Sequence, residues 1–337
     1  MVTILVIAIL AGMLMLAMAN AQETARIEKT RTTIAKLNNL IMERWESYKT
    51  RRVPVYIPPD EPYEDVNGNG IYNTGDPYTD LNGNLKWDYT LRQKARLRLD
   101  GLRALMRMEM PDRYEDISDD PKIMTPPKDA VCDMAVPSVT LAYRSRVGAA
   151  IPPMGENVED TNERAECLYL IITVGLTDDV GAREQFHESE IGDTDKDGMP
   201  EFLDGWRRPI RFLRWAPGFI SPLQPEEVMG ELRAPDAFDP IKVYPTKSGE
   251  LPVQDDPTFA LYPLIYSAGG DGSFDISGGP DGGLHYAEKN NNPYLRPPAV
   301  VLRVGTPDDT DSAGGVNMPD GRNGSIDNIT NQLMQAK

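Results

Sequence analysis

The sequence predicts an α+β fold: a long N-terminal helix packed on a small antiparallel sheet, with loop-rich insertions between its parts. Three observations predict it. Residues 1–19, MVTILVIAILAGMLMLAMA, carry no charged side chain. The stretch from Gln22 to Thr50 has no Pro or Gly and repeats its apolar residues at helical spacing. Beyond residue 160, short β-type runs alternate with Pro, Gly and Asp.

An uncharged stretch of about 20 residues is long enough to cross a bilayer as a helix. The absence of any polar face on the stretch argues against a buried core helix. A cleaved secretory signal is the alternative, since Ala19-Asn20-Ala21 has the small-x-small pattern of a cleavage site. Against it, no basic residue precedes the apolar run, and the run exceeds an ordinary signal core. The following residues favour a permanent anchor. Ile27, Ile34, Leu37, Ile41, Trp45 and Tyr48 form one stripe, with Arg26, Glu28, Lys29, Arg31, Lys36, Glu43 and Arg44 off it. Pro54 and Pro58 end the helix by removing backbone donors. The expected divisions are an anchor over 1–20, an amphipathic half over 21–52, an insertion over 53–160 and a globular domain over 161–337.

Within the insertion, residues 51–90 read as loop. Residues 90–110 read as a helix with Leu91, Ala95, Leu99, Leu102, Leu105 and Met106 on its apolar face, ended by Pro111, and its basic residues as a solvated face. Residues 111–160 are Pro-rich and polar. A helix is expected over 161–177, capped by Thr161 or Asn162, then strands at Ile210–Trp215, Leu261–Ser267 and Val300–Val304.

The chain has 337 residues and a formal charge of −17, enough length for one sizeable core. With 28 Gly and 29 Pro it contains many turns. The acidic balance excludes a nucleic-acid face, because phosphate recognition needs clustered Lys and Arg. Divalent cations are its natural partners. The two cysteines, Cys132 and Cys167, lack zinc-site spacing and are either paired or separately buried.

Two segments fit the twelve-residue calcium loop, in which oxygen ligands at alternate positions curl around a hard cation and the sixth residue is Gly for the sharp turn. In the first the expected ligands are Asp65, Asn67, Asn69, the carbonyl of Ile71 and Asp76. In the second they are Asp193, Asp195, Asp197, the carbonyl of Met199 and Asp204, with Glu201 direct or through water. A partial third, Asp80, Asn82, Asn84 and Asp88, has Leu85 where Gly is wanted and shares the first site. Asx- and Gly-rich turns also satisfy their own backbones without metal. No pair of helices brackets either loop, so calcium is expected as a structural clasp.

The stretch VTILVIAILAGMLML and the rod behind it resemble the type IV pilin and type II secretion pseudopilin family. The resemblance extends to Asp204-Gly205-Trp206-Arg207-Arg208-Pro209, Tyr266-Ser267-Ala268-Gly269-Gly270-Asp271-Gly272 and Asp327-Asn328-Ile329-Thr330-Asn331. The family has Gly where Arg207 stands and Asp where Asn328 stands. Its basic leader, its Gly-Phe cleavage site and the Glu five residues beyond do not precede Met1, so the true start codon is expected upstream. The resemblance implies a subunit of a pseudopilus or pilus-like filament, single-pass in the inner membrane, with its head periplasmic or extracellular. It implies other pilin-like subunits, membrane lipid and an assembly machinery as partners, and Ser267, Asp271 and Asp327 as further calcium ligands. A secreted calcium-dependent binding domain, released at Ala21, is the alternative.

Catalysis is not expected. Only His187 and His285 are available for a triad, both read as surface residues, and no phosphate-cradling Gly loop opens a helix.

Overall fold

The computed structural model describes residues 2–53, 61–68, 72–73, 75–80, 85, 87, 91–118, 122–125, 130–148, 162–176, 181–225, 234–243, 259–274, 276, 293–294 and 328–334. They form helices and small antiparallel sheets in an α+β arrangement, with one long N-terminal helix. The expected strand at Val300–Val304 and His285 lie outside the described residues.

Helix α1 spans Val2–Ser47 without interruption. Among the described residues its first half packs against nothing, and Ile4, Leu5, Leu10, Leu14 and Met15 are all exposed. Its second half buries the stripe: Ile34, Leu37, Ile41, Trp45 and Tyr48 are at most 2% exposed. The change occurs within one continuous backbone, so the side chains alone decide it.

The buried stripe meets a three-stranded antiparallel sheet, β5 (Arg211–Leu213), β6 (Leu264–Ser267) and β7 (Ile329–Thr330), with β6 in the centre. Phe212 pairs with Ile265, and Tyr266 with Thr330. A short helix, α6 (Asn331–Met334), follows β7. Asn331 ties these elements together, its Nδ2 donating to Asn38 Oδ1 on α1 at 2.8 Å while its Oδ1 accepts from Ile265 N at 2.9 Å.

Helix α2 (Leu91–Glu109) lies in the expected place and Arg98 is exposed, but Arg103 and Arg107 do not belong to the solvated face expected of its basic residues. Arg103 is 2% exposed and ion-paired with Asp236, and Arg107 pairs with Asp116. The acids come from two places, Asp116 from the insertion itself and Asp236 from the domain beyond it. Glu109, equally buried, receives Arg44, Tyr48 and Arg51 from the top of α1. The rest of the insertion comprises α3 (Tyr114–Ser118), the hairpin β1 (Lys122–Thr125) and β2 (Ala130–Asp133), and α4 (Ser138–Val147).

Helix α5 (Glu163–Leu170) runs into a π-helical turn, Ile171–Gly175. Asn162 is its N-cap residue, but the side chain makes no cap bond; it is used elsewhere, as described below. Cys167 is a free, buried thiol on α5. A two-stranded sheet, β3 (Ile191–Gly192) and β4 (Glu201–Phe202), brackets the loop between them.

Candidate metal centre

The loop from Asp193 to Pro200 connects β3 to β4, so its ends are held by the pairing of Gly192 with Glu201. Within it, Gly198 N donates to Asp193 Oδ2 at 3.1 Å and Met199 N to Asp197 Oδ1 at 2.7 Å. Gly198 has a φ of +97°, which is why the sixth position demands glycine. These bonds turn the exposed carboxylates of Asp193, Asp195 and Asp197 toward one another, with oxygens within 4.8 Å.

A second triad shares Asp195. One oxygen each from Glu166 of α5, Asp195 and Glu201 of β4 also lie within 4.8 Å of one another. Glu166 is 1% exposed and Glu201 is 0% exposed. Glu201 is oriented by neutral donors: Asn162 Nδ2 at 3.0 Å to Oε1 and Thr194 N at 3.1 Å to Oε2. The missing helix cap is thereby explained, because the Asn162 amide is spent on Glu201 and on Thr194 Oγ1, at 2.7 Å. Glu166 Oε2 receives no hydrogen bond.

Among the described residues, no Lys or Arg forms an ion pair with any of these five carboxylates. The electrostatics follow. Burial, reinforced by Asp197, Asp195, Glu201 and Asp193, pushes the Glu166 carboxyl up to about 9. Burial likewise pushes Glu201 up to about 7, against the pull of Thr194 and Asn162. A hard cation with oxygen preference fits such a donor set: Ca²⁺ takes 6–8 oxygens at 2.3–2.6 Å, so oxygens on opposite sides of one ion stand about 5 Å apart.

Asp204, expected as the last ligand of this loop, is placed elsewhere. Its Oδ1 accepts from Trp206 N at 2.8 Å and Arg208 N at 2.9 Å, and its Oδ2 from Ser267 Oγ at 2.7 Å. It organises the turn that docks on α1. There Gly205 N donates to Thr30 Oγ1 at 2.8 Å, and a Cβ on Gly205 would stand 2.2 Å from Arg26 O. Arg207, where the resembled turn has Gly, takes a φ of 70°.

The remaining expected ligands are scattered or outside the described residues. Ser267 is committed to Asp204, Asp271 Oδ1 accepts from Ser273 N at 2.8 Å, and Asp327 is outside. In the first loop, Asp76 Oδ2 accepts from Asn73 N at 2.8 Å, and Asp80 Oδ2 from Leu85 N at 2.7 Å. Burial first, then Asp65 and Asp76, raise the Tyr63 hydroxyl, so both acids border one ring. Asn67 is exposed, and Asn69, Ile71, Asn82, Asn84 and Asp88 are outside the described residues. His187 lies on the surface, its ring nitrogen accepting from Ser189 N at 3.1 Å.

No family model, no curated protein and no solved structure matches the chain.

Proposed function

We propose that the chain is a structural subunit of a filament of the type II secretion pseudopilus or type IV pilus kind, held in the inner membrane by the first half of α1. The single observation that carries this reading is the continuity of α1 across its change of character. An apolar helix left unpacked needs lipid or other helices, and the same helix continues into the core of the head. A rod joined rigidly to a head moves with it, whereas a cleaved signal has no reason to share a helix with the core. Packing the unpartnered half among copies of itself would contribute tens of kcal/mol gross at about 25 cal/mol per Å², less what is already gained in apolar lipid. In this reading the head lies on the periplasmic or extracellular side, and assembly machinery and like subunits are its partners. Calcium stabilises the head, and the loop from Asp193 is the place the chemistry favours for it.

Fractionation and cross-linking test the reading. Full-length chain carrying Leu10→Cys or Leu14→Cys is expected in the membrane fraction and to form oxidised multimers there. Soluble protein beginning near Gln22 would support instead a secreted calcium-dependent domain. Membrane-bound chain that never cross-links would refute assembly through the rod.

A further inference from the structure

We infer that the divalent-cation site is closed by Glu166 of α5 together with Glu201, not by Asp204, so that a bound ion fastens the loop to the helix. The inference rests on the calcium reading of this loop and is independent of the membrane anchor.

The argument begins with a polar atom that has no counterpart. Glu166 is 1% exposed, its Oε2 receives no hydrogen bond, and it faces two other carboxylates. Buried polar atoms are nearly always satisfied, and a buried charge is normally paired or bound to a metal. The loop alone would not provide such a site, because Asp193, Asp195 and Asp197 are exposed, and Asp193 and Asp197 already accept from the backbone amides of Gly198 and Met199. Glu166 adds a buried oxygen from a different element. Its position makes the five carboxylates one continuous oxygen lining through the shared Asp195.

Asp204 is committed elsewhere in this arrangement. Three donors hold it, two from the turn against α1 and one from β6. Glu201 is also held by neutral donors, the amides and hydroxyl of Asn162 and Thr194, which orient a ligand without neutralising it, but its carboxylate stands in the acidic cluster with Glu166 and Asp195.

The consequence reaches beyond the loop. On the first turn of α5, Glu163 accepts from Tyr114 N of α3 and Arg164 Nη1 donates to the Tyr266 hydroxyl of β6 at 3.3 Å. Glu166 is the third connection of that turn. An ion there fixes the helix that joins the insertion to the C-terminal sheet.

The experiment uses the full chain in detergent, loaded with Ca²⁺ alone and with Mg²⁺ as control, and reads affinity by calorimetry and melting temperature. Wild type is expected to bind Ca²⁺ and melt higher with it. Glu166→Gln and Asp195→Asn are expected to weaken binding at least as much as the roughly 10–100-fold that outer-shell changes cost, and to lose most of the rise. Metal-free Glu166→Gln is expected to melt no lower than metal-free wild type, since it removes an uncompensated buried carboxylate. Asp204→Asn is expected to melt lower in both states and to keep the Ca²⁺-dependent rise. If Glu166→Gln binds Ca²⁺ like wild type, or if Asp204→Asn alone abolishes the rise, the inference fails and the calcium reading stands. If wild type neither binds Ca²⁺ nor gains melting temperature, both fall.

Discussion

Two groups of buried acids sit at opposite ends of one short stretch of structure, and they are treated in opposite ways. Asp112 and Asp116 are fully buried beside α2, and Arg214, itself 0% exposed, reaches both: Nη1 lies 2.8 Å from Asp116 Oδ2, and the backbone N donates to Asp112 Oδ2 at 2.9 Å. Burial alone would raise the Asp116 carboxyl, but the guanidiniums of Arg214, Arg107 and Arg113 hold it well below the usual range. Glu166 and Glu201 are buried to the same degree, form no ion pair with Lys or Arg among the described residues, and are pushed the other way. Asp112, beside Asp116, is still raised by burial and by that neighbour despite Arg214, so within the first group it is at Asp116 that the counter-charge overrides burial. In the first group the chain encodes its own cations. In the second it leaves that role to an ion from solution.

The comparison breaks most visibly at Arg214. Arg214→Met is expected to lose about 3–5 kcal/mol of stability, because it strands buried carboxylates in an apolar surround. Urea unfolding measures it, and the deficit should be the same with calcium and with chelator. Rescue by calcium would mean that the two groups are not separate. Next in size is the ion itself. Free Ca²⁺ at about 100 times the dissociation constant should add about 2.7 kcal/mol, read as a difference in unfolding midpoint between calcium and chelator.

The difference between the groups also explains what the sequence made legible. Helix α1 was readable because its stripe repeats over many turns, and Asp193, Asp195 and Asp197 were readable because local spacing alone brings them together. Glu166 was not, since nothing in its spacing links it to a loop on another element. The available signal was a Glu within ERAECLYL, a helix whose second half is apolar; such a helix is buried, and an acid on it needs a partner. Arg103 and Arg107 were misread for the same reason: their acids come from Asp236 and Asp116, and only the folded chain shows them. Asp204 fits two patterns at once, the end of a loop and the start of a turn, and the turn with Ser267 of β6 beside it holds the carboxylate with three donors. Strands β3 and β4 have two residues each, too few to show alternation.

A pH series sharpens the contrast without mutation. The Glu163 carboxyl is pushed up to about 8 by burial and by Asp116, and Glu166 and Glu201 also lie above the ordinary 4.5. For such groups the stability is fully present below the ordinary value and lost as pH rises through the raised one. In chelator, melting temperature should therefore fall between about pH 5 and 9. In calcium, the share due to Glu166 and Glu201 should vanish and that of Glu163 remain. A profile identical in both conditions would refute the assignment of those two carboxylates to an ion.

The smallest effect is expected where compensation is partial. Glu190 accepts from Thr33 Oγ1 at 2.6 Å and His187 N at 2.8 Å, and it pairs with half-exposed Lys36 at 3.0 Å. Burial alone would raise its carboxyl, yet these two donors and Lys36 together bring it below the ordinary value. Its stability contribution is thus present above 4.5 and lost as pH falls, opposite to Glu166. Lys36→Met keeps the aliphatic stem beside the Phe186 ring and removes only the charge. With two neutral donors left, the cost should be about 0.5–1 kcal/mol, and the acid-side loss should be smaller and complete at higher pH than in wild type. A loss as large as that of Arg214→Met would show that a single cation at the rim is as necessary as one in the interior. The distinction between encoded and borrowed counter-charge would then give way to one of mere proximity.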